Sequence, residues 1–292
     1  VTAPVIDIAP PPPTMRLKIR PKVGWQPIDF RELWHYRELL WILAQRDIKV
    51  RYKQTALGVT WAVIQPFATM VVFTILGSLG SLSTDAIPPP LFYFCGLLPW
   101  LLFANSLSSA GNSLVGSQHL ITKVYFPRLV IPISSIITML IDFGISFAML
   151  LLLMLWYRHA PGFHVGPQVL LVPVFIVLSF TAALAAGLWL SALNVEYRDV
   201  RYAIPLATNL LQFATPVLWT ATQVHNRWHS RLVDLLVSLN PMTGVEEGFR
   251  WCMVGGPRPG PMLLVSIGSI GLLLVGGLFY FRRMEKSFAD LV

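Results

Sequence analysis

The chain has 292 residues, of which 55% are hydrophobic and 12% charged, about half the charge of a soluble domain. With a mean hydropathy of +0.63, this composition excludes an ordinary soluble enzyme, a disordered protein and a disulfide scaffold, and points to a polytopic membrane protein. The excess of 22 Lys and Arg over 14 Asp and Glu reads as charge that orients membrane spans, not as a nucleic-acid surface.

Residues 1–29, with the run Pro10–Pro13, read as a flexible Pro-rich tail lacking the apolar core of a signal peptide. Residues 30–53 are rich in helix formers. Phe30, Leu33, Trp34, Leu40, Trp41, Ala44 and Ile48 recur at three- and four-residue steps beside Arg31, Glu38, Gln45, Arg46 and Lys49. Two tryptophans beside a basic face suit an amphipathic helix lying in the headgroup layer. A helix packed on a partner subunit is the alternative.

The rest of the chain, 54–292, holds six apolar runs near the length that crosses a bilayer as a helix: 57–79, 91–114, 129–156, 168–193, 203–222 and 260–281. The fifth is polar in places and carries Pro205 and Pro216. With both ends on one side, seventeen of the 22 Lys and Arg fall on that side, which predicts cytoplasmic termini. The expected fold class is therefore an all-α integral membrane protein with six transmembrane helices. Between runs five and six, Leu232–Leu239, Asn240–Pro241 and Thr243–Met253 form pieces too short to cross. Such pieces can dip into the membrane only where protein or water shields their backbone ends. No internal repeat is visible, so an inverted-repeat secondary transporter gains no support.

Catalytic patterns are lacking. There is no G-x-x-x-x-G-K-[ST] and no G-x-S-x-G. His225 and His229 stand four apart without the glutamate of a zinc protease, so no metal site is read. The acids expected on the outer side, Asp85, Asp234, Glu246 and Glu247, are too few for a lipid-linked transferase. A Cys95–Cys252 bridge requires both thiols near the oxidising face.

Three segments on the expected cytoplasmic side are more informative: RDIKVRYKQTALGVTWAVIQ from Arg46, LITKVYFPRLVIP from Leu120 and LNVEYRDVRY from Leu193. The second contains a short amphipathic turn, Leu120, Val124, Tyr125 and Phe126, followed by Pro127 and Arg128. A short rigid element between two spans suits a groove on another protein. A snorkelling loop is the alternative.

Together with NPMTGVEEGFR and the closing FYFRRMEKSFADLV, these segments resemble the permease subunit of ABC-2 type exporters over about residues 30–292. The closest resemblance is to the branch that exports O-antigen, capsular polysaccharide or teichoic acid. The resemblance implies a homodimer in the bacterial inner membrane, with a translocation path between the two copies. It implies two separate ABC ATPase subunits that carry ATP and Mg, no cofactor in this chain, and a lipid-linked glycan as cargo. The 118–128 segment would be the coupling helix, with Leu120, Lys123, Val124, Tyr125, Phe126, Pro127 and Arg128 meeting the ATPase. Trp34, Trp41, Arg46, Lys49, Arg51, Tyr52 and Lys53 would form a cytoplasmic collar. Asn240, Pro241, Glu246, Glu247 and Arg250 would sit in re-entrant gate helices, the three charges pairing together, meeting a diphosphate or lying exposed.

Sugars stack on rings and hydrogen-bond through hydroxyls. Thr208, Gln212, Thr215 and Trp219 recur at four, three and four residues on run five. Asn105, Ser109 and Asn112 share a face of run two, and Trp61 and Gln65 mark run one. These stripes line a channel or bond neighbouring helices. Trp100, Trp189 and Trp251 read equally well as interface anchors. Asp142 lies mid-span with no Lys or Arg deep in another run, so it is expected to be protonated or bonded to a Ser, Thr, Asn or Gln of a neighbour. Two rival functions remain: an exporter of a drug or small lipid on the same architecture, and a stand-alone membrane enzyme or scramblase.

Overall fold

The computed structural model describes residues 30–53, 60–80, 84, 87–124, 126–160, 165–285 and 288; the Pro-rich tail lies outside them. All regular structure among them is helical.

Helices α1 (Phe30–His35) and α2 (Arg37–Lys53) replace the single helix expected over 30–53. The turn at Tyr36 lets Leu33 of α1 and Leu39, Leu40 and Leu43 of α2 reach one apolar cluster with Leu114, Ile121 and Leu129. The expected apolar stripe divides: Ala44 is buried, whereas Trp34 is 70% exposed and Trp41 56%. Helix α2 runs along α6, so it is not a detached surface helix.

Helix α3 (Thr60–Leu79) leads to α4 (Pro89–Gly116), the 28-residue centre of the molecule. Helix α4 starts at Pro89 and Pro90, which need no N–H partner in a first turn. It is apolar nearly all round and buried along most of its length, packed by α3, α6, α7, α8 and α11. Next come α5 (Gln118–Lys123), α6 (Val130–Trp156), a 3-10 turn at Pro167–Leu171 and α7 (Val172–Glu196). Helices α4 and α7 approach closely through small residues. A Cβ on Gly187 would stand 2.7 Å from Ala110 Cβ, a separation that packed carbons do not adopt.

The expected span at 203–222 is not full length. Helix α8 covers Val200–Ala214, 15 residues or about 22 Å, short of a bilayer core. The cause is Pro216, which disfavours helical backbone at the preceding residue; Thr215 is extended at ψ 147°. Three short helices follow, α9 (Ala221–Trp228), α10 (Arg231–Leu239) and α11 (Pro241–Val254). Helix α11 is bounded as its sequence dictates. Asn240 Oδ1 accepts from Met242 N–H at 3.0 Å, Pro241 opens the first turn, and Gly255 closes it at φ 74°. Helix α12 (Met262–Met284) follows.

Among the described residues, five helices, α3, α4, α6, the Pro167–Glu196 unit and α12, are long and apolar enough to cross a membrane. The protein is an all-α multi-pass membrane protein.

Candidate functional site

A polar groove runs along α4 between α2, α3 and α6. Its larger part, about 430 Å³, is lined by Arg46, Arg51, Asn105, Ser109, Asn112 and Ser135 among others. A second part of about 130 Å³ shares Arg51 and Asn105 and adds Tyr52, Trp61, Gln65 and Asp142. Trp61 and Gln65 thus border the smaller part, which Leu98, Leu101, Leu102 and Phe143 also line, Ser109 and Asn112 border the larger, and Asn105 borders both. Some of these residues also hold the fold. Ser109 Oγ donates to the Ser135 carbonyl at 3.4 Å, and Asn112 Oδ1 accepts from Asn194 Nδ2 of α7 at 3.2 Å.

Asp142 has a cationic partner, contrary to the expectation of a neutral one. Arg51 Nη2 lies 2.7 Å from Asp142 Oδ2, and the Tyr52 hydroxyl donates to Oδ1. The partners come from α2 because that helix packs along α6. The Tyr52 hydroxyl is pushed up to about 12 by burial, then by its bond to Asp142 and that group's charge. Of the other collar residues, Lys49 and Lys53 are exposed, and Arg46 pairs with its neighbour Asp47 at 2.7 Å.

The stripe expected on run five does not share one helix face, because α8 ends before Thr215. Thr208 is buried and bonds the Ile204 and Pro205 carbonyls. Thr215 donates to the Leu211 carbonyl at 2.6 Å and accepts from Asn240 Nδ2 at 2.8 Å. Trp219 Nε1 donates to the Phe213 carbonyl at 3.1 Å, and Gln212 is half-buried. These groups close turns and join segments. Trp100 is not an interface anchor: it is buried beside Phe103. Trp189 stacks on Tyr280 at 5.0 Å between α7 and α12, and Trp251 lies under Arg258.

The charges of α11 are not a surface cluster. Arg250 is 1% exposed; its Nη2 donates to the Pro216 carbonyl at 2.9 Å and the Val217 carbonyl at 3.2 Å, and its guanidinium lies 4.1 Å from the Phe92 ring. Glu246, one turn earlier, is fully buried, and neither of its oxygens has a hydrogen-bond partner among the described residues. Burial pushes its carboxyl well above the usual carboxylate range; Arg250 opposes that and Glu247 adds to it. Glu247 Oε1 accepts the Ala221 N–H at 2.7 Å, which ties α11 to the start of α9. Nearby, His225 Nδ1 lies 2.7 Å from Asp234 Oδ2. Cys95 and Cys252 are free and buried, and burial lifts the Cys252 thiol to about 11.

The 118–128 segment is not one helix. Helix α5 ends at Lys123, and Pro127 keeps the preceding backbone out of helical geometry. Lys123 and Val124 are exposed at its tip, Leu120 is half-buried, and Phe126 and Pro127 are buried at its base. Tyr125 lies outside the described residues. Arg128, half-buried, contacts the end of α12: its backbone N–H donates to Glu285 Oε1 at 3.3 Å and its guanidinium to the Glu285 carbonyl. Sequence reading marked the closing RRME without a role, since nothing local links it to a turn 157 residues away.

A family model described as ABC-2 type transporter matches residues 38–254. The chain is 32% identical over 259 residues to an O-antigen export system permease protein RfbA of Myxococcus xanthus, covering 87% of this chain and 96% of that one. It is 23% identical to an RfbA of Klebsiella pneumoniae, over 87% and 95% of the two chains. It is 25% identical to the polysialic acid transport protein KpsM of Escherichia coli, over 83% and 92%.

Proposed function

The chain belongs to the ABC-2 type transporter family, and from that premise we propose that it is the permease subunit of a polysaccharide exporter. It moves a lipid-linked glycan across the bacterial inner membrane, with ATP and Mg bound by separate ATPase subunits. The observation that carries this reading is the polar groove on α4, rimmed by Trp61 and headed by Arg51 and Tyr52. It offers hydroxyl, amide and aromatic groups together, which suits a sugar chain better than an apolar drug. The names of the relatives agree.

In this reading two copies face each other across their grooves, so that polar groups on α3 and α4 look into a shared path and not into lipid. The termini and the tip of α5 are cytoplasmic, in line with the bias of Lys and Arg. The exposed tip at Lys123 and Val124 enters the ATPase. ATP-driven closure of the ATPase pair pushes α5, and with it α4 and α6, so that the path opens. Helices α9, α10 and α11 are re-entrant and close the outer end.

Co-purification with the ATPase encoded beside this chain, followed by ATPase assays in nanodiscs, tests the reading. A stoichiometric complex stimulated by lipid-linked glycan is the expected result. Asn105→Leu, which makes the groove apolar, should lower that stimulation roughly tenfold while the complex still forms. Stimulation by a small lipid or drug instead would move the cargo to that class. Glycan movement in liposomes without any ATPase would overturn the reading in favour of a scramblase.

A further inference from the structure

At the basic end of the molecule, the turn between α5 and α6 and the end of α12 share one bracket. Glu285 Oε1 accepts the Arg128 N–H at 3.3 Å, Oε2 accepts from Arg282 Nη1 at 2.9 Å, and the Arg128 guanidinium donates to the Glu285 carbonyl. The same guanidinium lies 5.8 Å from the Phe288 ring. Phe288 packs edge-on against Phe281 at 5.2 Å, and both are fully buried in the cluster that contains Phe126 and Leu129.

The chemistry of helix ends explains the bracket. Arg128 stands two residues before α6, next to its N-cap Leu129, and the first N–H groups of that helix lack intrahelical acceptors and carry partial positive charge. A carboxylate there is favourable. The last carbonyls of α12 carry the opposite partial charge, which Arg128 and Arg282 answer. Two helix ends of opposite polarity are thus joined through a residue of neither span.

Helix α12 is a continuous rod without an internal proline, 23 residues or about 34 Å long. Near its other end, the fully buried Ser266 hydroxyl accepts the Gly244 N–H at 3.1 Å and donates to the Ser238 carbonyl at 3.0 Å. A Cβ on Gly244 would stand 3.0 Å from the Ser266 side chain, so glycine lets α11 lie directly against that residue. Helix α12 therefore bears on the α5–α6 turn at one end and on the α10–α11 turn at the other.

We propose that Glu285 is a positioning residue that makes α12 a strut between these two turns. Helices α4 and α6 follow α5 because the chain joins them to it. Helix α12 has no such covalent link; it packs along α7 and shares an apolar cluster with Ile121 and Phe126, and the Arg128–Glu285 bracket adds the polar tie to the turn. A push on α5 then reaches the α10–α11 turn through Ser266. The proposal rests on the reading of α5 as the ATPase-docking element.

The test uses the complex with its ATPase in nanodiscs, spin-labelled in separate samples at Thr122→Cys on α5 and Leu264→Cys at the far end of α12. Both positions are exposed, and the native cysteines are buried. Trapping with ATP and vanadate should shift both inter-copy distances in the otherwise native protein. Glu285→Ala should abolish the Leu264 shift and keep the Thr122 shift; Glu285→Asp should restore the former in part. Should the alanine variant fail to assemble, Glu285→Gln, which retains size but loses charge, should still reduce the Leu264 shift. A Leu264 shift undiminished in these variants, or absent in the native protein while Thr122 moves, overturns the strut. Absence of any Thr122 shift overturns the docking reading itself.

Discussion

Asp142 and Glu246 are both carboxylates set among packed helices, and the fold treats them in opposite ways. The Asp142 side chain is 14% exposed, opens on the groove, and is met by Arg51 and Tyr52. Glu246 is sealed under α11 with neither oxygen bonded among the described residues, although Arg250 lies one turn away. The difference lies in the approaching cation. Arg51 sits on a helix at the rim of the groove, with its own side chain 43% exposed, so its head can reach the carboxylate. Arg250 bonds two carbonyls through Nη2 alone and lies against the Phe92 ring, while its buried Nε and Nη1, like both Glu246 oxygens, have no hydrogen-bond partner among the described residues, so the packing keeps the two groups apart. A carboxylate at an accessible rim is met by an ion pair, and one sealed in a dry interior favours its proton.

The sharpest way to break this contrast is at Arg250. Arg250→Ala removes the only described side-chain partner of the Pro216 and Val217 carbonyls and opens a cavity beside the Phe92 ring. It should destabilise the protein by about 3–5 kcal/mol, seen as a large fall in the thermal unfolding midpoint in detergent. Retention of the native midpoint would mean that the buried guanidinium holds nothing.

Glu246→Gln tests the sealed side. A carboxyl whose folded value is raised gives its full stability below 4.5, its ordinary value, and loses it as pH rises toward the folded value. Thermal unfolding of the native chain should therefore weaken relative to Glu246→Gln above that pH, by at most about 1.4 kcal/mol per pH unit. Parallel pH profiles for the two proteins would place an ionised carboxylate in the core.

The smallest effect belongs to the open pair. Because Arg51 is well exposed, a double-mutant cycle of Arg51→Ala with Asp142→Asn should show a coupling of only about 0.5–1 kcal/mol in thermal unfolding. The Tyr52 hydroxyl, pushed up to about 12, should stay protonated in an absorbance titration through pH 10, and Asp142→Asn should bring its transition down. A coupling as large as that at Arg250 would erase the distinction between the two sites.

The legible parts of the site were those whose signal is local. Trp61, Gln65, Asn105, Ser109 and Asn112 mark apolar runs, and they border two adjoining cavities that share Arg51 and Asn105. The stripe from Thr208 to Trp219 misled because periodicity was carried through Pro216, where the helix cannot continue. The partner of Asp142 was sought only among spans, whereas α2, read as a headgroup helix, delivers it from outside. Glu246 and Arg250 were left open because charge alone does not reveal burial, and here packing by α4, α7 and α12 seals them.

The amino-acid sequence by itself determined the all-α membrane class, five of the six expected long runs and the short pieces at Leu232–Leu239 and Thr243–Met253. Run length, apolarity, prolines and caps act within a few residues, so they survive without knowledge of the fold. Only the tertiary structure decided that α4 is the central helix, that Arg51 reaches Asp142, and that Glu285 holds the turn before α6. Those contacts join residues tens to more than a hundred positions apart. Their energies depend on burial and on which donor is already occupied, and both follow from how the helices pack.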